Sequence, residues 1–177
     1  EETLDNFKQV RNARLAAYTL SLLAQIYLTQ GDVAAARAQI DEAISIFKEL
    51  GDRFGMTLAL IAAGKVALAQ GDLVSARASY RKCWEQACAI GALELIAGCL
   101  EGVGEVLVVQ GEARSAVELW GKAAMIRADL IAPMPPVERI FYEKAMMIAR
   151  EQLSDEDFQI AWMEGRKKSV SEFILEQ

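Results

Sequence analysis

An all-α fold of repeated antiparallel helix pairs is what this sequence predicts, and three observations carry the prediction. Gln30-Gly31-Asp32 returns as Gln70-Gly71-Asp72 and again as Gln110-Gly111-Glu112, with the glycines 40 residues apart each time. Self-similarity at such a period marks an array of supersecondary units. Between these glycines, apolar residues recur at helical spacing. No proline precedes Pro133, so nothing breaks a helix before that point.

The elements follow in order. Glu1–Val10 aligns with Asp41–Leu50 at the same 40-residue offset, matching Leu4 with Ile44, Phe7 with Phe47 and Val10 with Leu50. Residues 1–12 therefore read as the second helix of a preceding, truncated repeat, with an apolar end face prone to homo-association. The alternative is an N-terminal helix that caps the array, although a cap should be more polar outside. Three repeats are expected at 13–52, 53–92 and 93–132. In the first, a helix over 13–30 carries Leu15, Leu22, Leu23, Ile26 and Tyr27. Gly31 ends it, because glycine adopts the left-handed conformation without steric cost. Asp32 caps the next helix, which runs over 33–50 with Ala36, Ile40, Ala43, Ile44 and Phe47 on one face. Gly51 and Asp52 repeat the punctuation. Helices over 53–70, 73–90, 93–110 and 113–130 copy the unit, with Ala76, Tyr80, Cys83 and Ala87, and then Ala116, Trp120, Ala123 and Ile126, facing inward.

Residues 133–177 depart from the repeat and read as a helical C-terminal cap. Pro133, Pro135 and Pro136 stiffen a linker, and a helix over 137–152 follows. Ser154-Asp155-Glu156-Asp157 resembles a capping box that opens a helix ended by Gly165. Ser169 to Glu172 forms a second box before a last short helix.

The small residues point to a family. A small residue stands seven before each Gly-Asp or Gly-Glu glycine (Ala24, Gly64, Gly104), alanines stand five after it (Ala36, Ala76, Ala116), and a bulky residue stands nine after it (Ile40, Tyr80, Trp120). A second small residue stands twelve after it (Ala43, Cys83, Ala123). The small positions let two helices approach, and the bulky one should fill the gap between neighbouring pairs. This pattern, over 13–130, resembles the tetratricopeptide repeat (TPR), in the longer form of MalT-like regulators. The resemblance implies a right-handed TPR superhelix. Pro135 to Arg139, Ala161 to Arg166 and Ser169 to Glu172 are similar to the C-terminal ends of bacterial signal-transducing STAND ATPases. That likeness implies a sensor or interaction module of a larger cytoplasmic signalling or transcription regulator.

Composition narrows the function classes. The 177 residues carry a net charge of −6 and no histidine. An acidic chain lacks the basic surface that nucleic acid and anionic membranes require. No apolar run is long enough for a membrane span, and the first residues do not resemble a signal peptide. Without histidine there is no nucleophile–histidine pair, and Cys83, Cys88 and Cys99 follow no metal spacing and read as buried free thiols. Gly64-Lys65-Val66 and Gly121-Lys122-Ala123 are not phosphate loops. We expect no catalytic residue, no cofactor and no metal. Asp41, Glu42 and Asp155 to Asp157 read as helix-start charges, Trp84, Trp120 and Trp162 as packing residues, and Arg166 to Lys168 as a solvated turn.

In TPR proteins the first helix of each pair lines a concave groove. The corresponding positions are Tyr18, Ser21, Gln25, Leu28 and Thr29, then Leu58, Ile61, Lys65, Leu68 and Ala69, then Gly98, Glu101, Glu105, Val108 and Val109. The middle set is apolar apart from Lys65, which suits a protein or peptide segment from a partner or from another domain of the same protein. The groove could equally be covered by the array's own curvature or by a neighbouring domain. Two further functions stay open, a small-molecule effector sensor and a self-assembling scaffold.

Overall fold

The computed structural model describes residues 2–173, with side chains from Gln9 onward except that of Ser171. Eight α-helices run through the described residues, and they contain no strand. They are α1 (Glu2–Thr29), α2 (Val33–Glu49), α3 (Arg53–Ala69), α4 (Leu73–Ile90), α5 (Leu93–Val109), α6 (Ala113–Leu130), α7 (Pro136–Gln152) and α8 (Asp155–Lys167). A 3-10 turn, Val170–Glu172, follows. The expected all-α architecture of helix pairs is therefore observed.

The punctuation works as its chemistry requires. Gly31, Gly51, Gly71, Gly91 and Gly111 all have positive φ, between 61° and 82°. The following aspartates cap helices. Asp32 Oδ1 accepts from Ala35 N, Asp52 Oδ1 from Gly55 N and Asp72 Oδ1 from Ser75 N, each at 2.9 Å. Ala92 has no side-chain acceptor and Glu112 makes no cap hydrogen bond, so the glycine alone recurs throughout.

Four expectations are corrected. Residues 1–12 and 13–30 do not form two helices. One helix spans them, because Arg11-Asn12 stands where Gly51-Asp52 stands 40 residues later and supplies no left-handed stop. Gly165 does not end α8 but lies inside it. Cys88 is exposed, whereas Cys83 and Cys99 are buried; all three are free thiols. Two of the bulky residues nine after the glycine, Tyr80 and Trp120, pack within their own pairs. The Tyr80 ring covers Gly64 and the Trp120 ring covers Gly104, where any Cβ would fall under 3.0 Å from the ring. Phe47 of α2, lying against Gly55 of α3, makes the contact between successive pairs. The end-face residues Leu4 and Phe7 have side chains outside the described residues, and Val10 is exposed.

The chain divides into two compact units, residues 1–82 and 83–177, with the boundary inside α4. In the first, α1 and α2 pack as a hairpin and α3 lies against both. Its core holds Ala17, Ala24, Ala36, Ile40, Ala43, Phe47 and Ala59, all fully buried. Tyr18 packs edge-on to Phe47 at 4.9 Å between ring centroids. In the second unit, α5 pairs with α6, α7 packs on both, and α8 lies along α6. Its core gathers Val108, Ala116, Val117, Trp120, Ala149, Phe158 and Ala161.

Candidate interaction site

The fifteen groove positions fall mostly inside. Ser21, Gln25, Leu28, Ile61, Lys65, Gly98, Glu101, Glu105 and Val108 are buried, Tyr18, Leu58 and Leu68 are half-buried, and Thr29, Ala69 and Val109 are exposed. Leu68, expected to line an open groove, is thus only partly accessible. A buried side chain contributes packing or a fixed charge rather than contact surface, so the accessible positions are Tyr18, Thr29, Leu58, Leu68 and Ala69 in the first unit and Val109 in the second.

The second unit holds an open cavity of about 770 Å³ between α6, the α6–α7 connection and α7. That volume is in the range of ligand and anchor pockets. Ala124 and Ala128 of α6, then Ile131, Pro133 and Met134 of the connection, then Tyr142 of α7 make its walls, with Arg139 and Glu143 also lining it. Small alanines on α6 leave the room. Pro135 is extended, with φ −55° and ψ 140°, and Pro136 starts α7 where its missing N–H costs nothing. The connection is thereby held away from α6.

The cavity also touches a buried ion pair. Arg127 Nε donates to Glu101 Oε1 at 2.5 Å and Nη2 donates to Oε2 at 2.7 Å. Nη1 donates to the Ala132 carbonyl at 3.4 Å, and Glu138 Oε2 lies 3.9 Å from Nη2. Burial would lower the guanidinium's pKa, but the hydrogen bonds and charge of Glu101, with Glu138 and Glu94, outweigh it and leave the pKa raised. Trp120 Nε1 donates to the Glu101 carbonyl at 3.0 Å, and Tyr142 meets the Trp120 ring edge-on at 5.3 Å. Arg127 and Glu101 thus neutralise each other at the cavity base, with Glu138 as a second carboxylate nearby, and the walls are mostly apolar apart from Arg139 and Glu143.

Burial, then the Glu101 charge, pushes the Tyr142 phenol above the usual tyrosine range, against the opposing effect of Arg127 and Arg150. Tyr18 is raised too, by burial and by Asp52. A folded-state pKa above the unfolded value of about 10 gives stability that is fully present below that pH and is lost as pH rises through the folded value. Unfolding free energy should therefore fall above about pH 10. Denaturant titrations across alkaline pH should show a shallower fall for Tyr142→Phe than for wild type; equal slopes would contradict the burial of this phenol.

One residue in the cavity wall is out of character. Ile131 has φ 53°, the one positive φ among described non-glycine residues, and it is 89% exposed. It stands 40 residues after Gly91 and 80 after Gly51. The helix ending is the same, since Ala132 N donates to the Arg127 carbonyl just as Ala92 N donates to Ala87 and Asp52 N to Phe47, each at 3.0 Å. A β-branched residue in this conformation costs on the order of 1–2 kcal/mol relative to glycine. Sequence reasoning passed over Ile131, Arg127 and Tyr142, and met Arg139 only as the end of the Pro135 to Arg139 motif. Only the first left a signal, an isoleucine in a glycine's place in the period.

A tetratricopeptide repeat family model matches residues 3–89. No curated protein and no solved structure gives a significant match. Among the described residues, no helix is long and apolar enough to cross a membrane. Residues 3–89 thus match the tetratricopeptide repeat family, whose helix pairs generally mediate protein–protein interaction.

Proposed function

We propose that this chain is a non-catalytic interaction module, part of a larger cytoplasmic bacterial signalling regulator, that takes an apolar anchor residue of a partner segment into the α6–α7 cavity. Ile131 carries this reading. It combines a strained backbone with an exposed apolar side chain at the mouth of an apolar pocket, and stability alone would favour glycine there. Strain of this kind is held where a side chain's placement is used. Arg139 and Glu143, one helical turn apart on α7, would read opposite charges flanking the anchor and set register more than affinity. In the first unit, the accessible groove residues Tyr18, Leu58 and Leu68 offer a second apolar contact. The match of residues 3–89 to an interaction repeat supports the class; the STAND-like C-terminal motifs support the setting.

The test is to pan a peptide library against the wild-type protein and then measure selected peptides against Ile131→Gly. The glycine variant should be more stable by about 1 kcal/mol, since the strain is relieved. The same variant should bind selected peptides at least tenfold more weakly. Peptides that bind both proteins equally would place recognition elsewhere. A melting point raised by small metabolites, with no peptide enriched, would favour the effector-sensing function instead.

A further inference from the structure

The outer face of α1 is apolar where its counterpart on α3 is covered. Leu15, Leu22 and Ile26 are 54%, 54% and 44% exposed. Forty residues later, Gly55, Ala62 and Val66 occupy the same register of α3 and are buried. There α2 lies on α3, with the Phe47 ring seated on Gly55. This is a register that the fold covers with a helix.

The α1 face has the chemistry of an interface. No charged residue occurs between Arg14 and Asp32, and depletion of charge is what marks the centre of a protein contact. A solvated helix face would carry lysine and glutamate. Thr19 and Thr29 lie on this face, and each hydroxyl donates to its own helix, to the Leu15 carbonyl at 2.9 Å and the Ile26 carbonyl at 2.7 Å. Neither needs a polar partner.

Spacing and volume select the occupant. Leu15, Thr19, Leu22 and Ile26 follow one another at intervals of four, three and four. That is a heptad seam with leucine at the d positions and β-branched residues at the a positions, a choice that favours two strands. A helix like α2 would not fit, because Leu15 fills the place that Gly55 leaves open for an aromatic ring. The cover must instead interdigitate with protruding leucines. We propose that the α1 face pairs with the same face of a second copy of this chain, as a two-stranded seam. With about two heptads, the seam is short and the dimer dissociable.

Sedimentation velocity of the full chain between about 1 and about 100 µM tests this, a range that brackets the dissociation constant of a small interface. The wild type should shift from monomer to dimer with concentration. Leu22→Glu should weaken the dimer at least tenfold while leaving helicity and melting temperature nearly unchanged, because the side chain is half exposed. Thr19→Leu should tighten it severalfold by completing the seam. A monomer at every concentration would overturn the proposal. So would a dimer indifferent to both substitutions, or unfolding by Leu22→Glu, which would make the face a core.

Discussion

Gly165→Ala is expected to prise α8 from α6 and to cost about 3 kcal/mol or more. A Cβ at Gly165 would fall under 3.0 Å from the carbonyl oxygen, carbon and Cα of Glu118, all of them backbone. A rotamer change cannot relieve backbone overlap, so the two helices must separate. Gly121 of α6 makes the reciprocal approach to the Trp162 backbone. Separation uncovers Phe158 and Ala161, which are buried against Ala116, Val117 and Trp120. The ion pairs flanking this crossing, Arg114 with Glu164 and Lys168 with Glu118, have partly exposed cations and cannot offset that loss. Urea denaturation should show the drop, and limited proteolysis should cut α8 faster. Gly121→Ala combined with Gly165→Ala should cost little beyond either change alone, because the crossing is lost only once. A Gly165→Ala protein within about 1 kcal/mol of wild type would mean that the helices are not in backbone contact.

Arg127→Met should destabilise the second unit by about 3–5 kcal/mol, the cost of leaving a buried carboxylate without its partner. The side chains of Arg127 and Glu101 are 9% and 5% exposed, and the pair is bidentate, so solvent cannot replace the guanidinium. Removing both charges is a different matter. Arg127→Met with Glu101→Met should regain part of the loss, since two apolar side chains of similar volume can fill the site, while the buried Glu138 carboxylate beside Arg127 still loses its cation. Arg127→Lys should fall between, because an ammonium cannot match both carboxylate oxygens. Chemical denaturation of the four proteins closes the double-mutant cycle. A single variant as costly when paired as when alone would show that Arg127 acts through packing rather than charge.

Helix boundaries were legible in the sequence because their signals are local. A positive-φ glycine and an aspartate that accepts from the third residue onward need no distant partner, and helices expected over 33–50, 53–70, 73–90, 93–110 and 113–130 appear within a residue of those limits. Where the signal was absent, at Arg11-Asn12, the expected break was absent too. Glycine roles were less legible. Gly165 reads as a stop in one dimension, but its use is set by a carbonyl on another helix 47 residues earlier.

The candidate site was less readable still. Periodicity placed Glu101 and Glu105 on the right helix and could say nothing of what covers that helix. The partner of Glu101 is Arg127, 26 residues later, on a helix where arginine breaks no pattern. The α6–α7 cavity depends on how far α7 stands from α6, a distance set by packing and by an extended proline connection. What the sequence determined by itself was the helix pairs, their 40-residue period and their caps, because each is decided by backbone sterics and side chains a few residues apart. Which faces are buried, which charges are neutralised and where an opening remains were decided only in the tertiary structure, because desolvation and close packing depend on residues brought together from far along the chain.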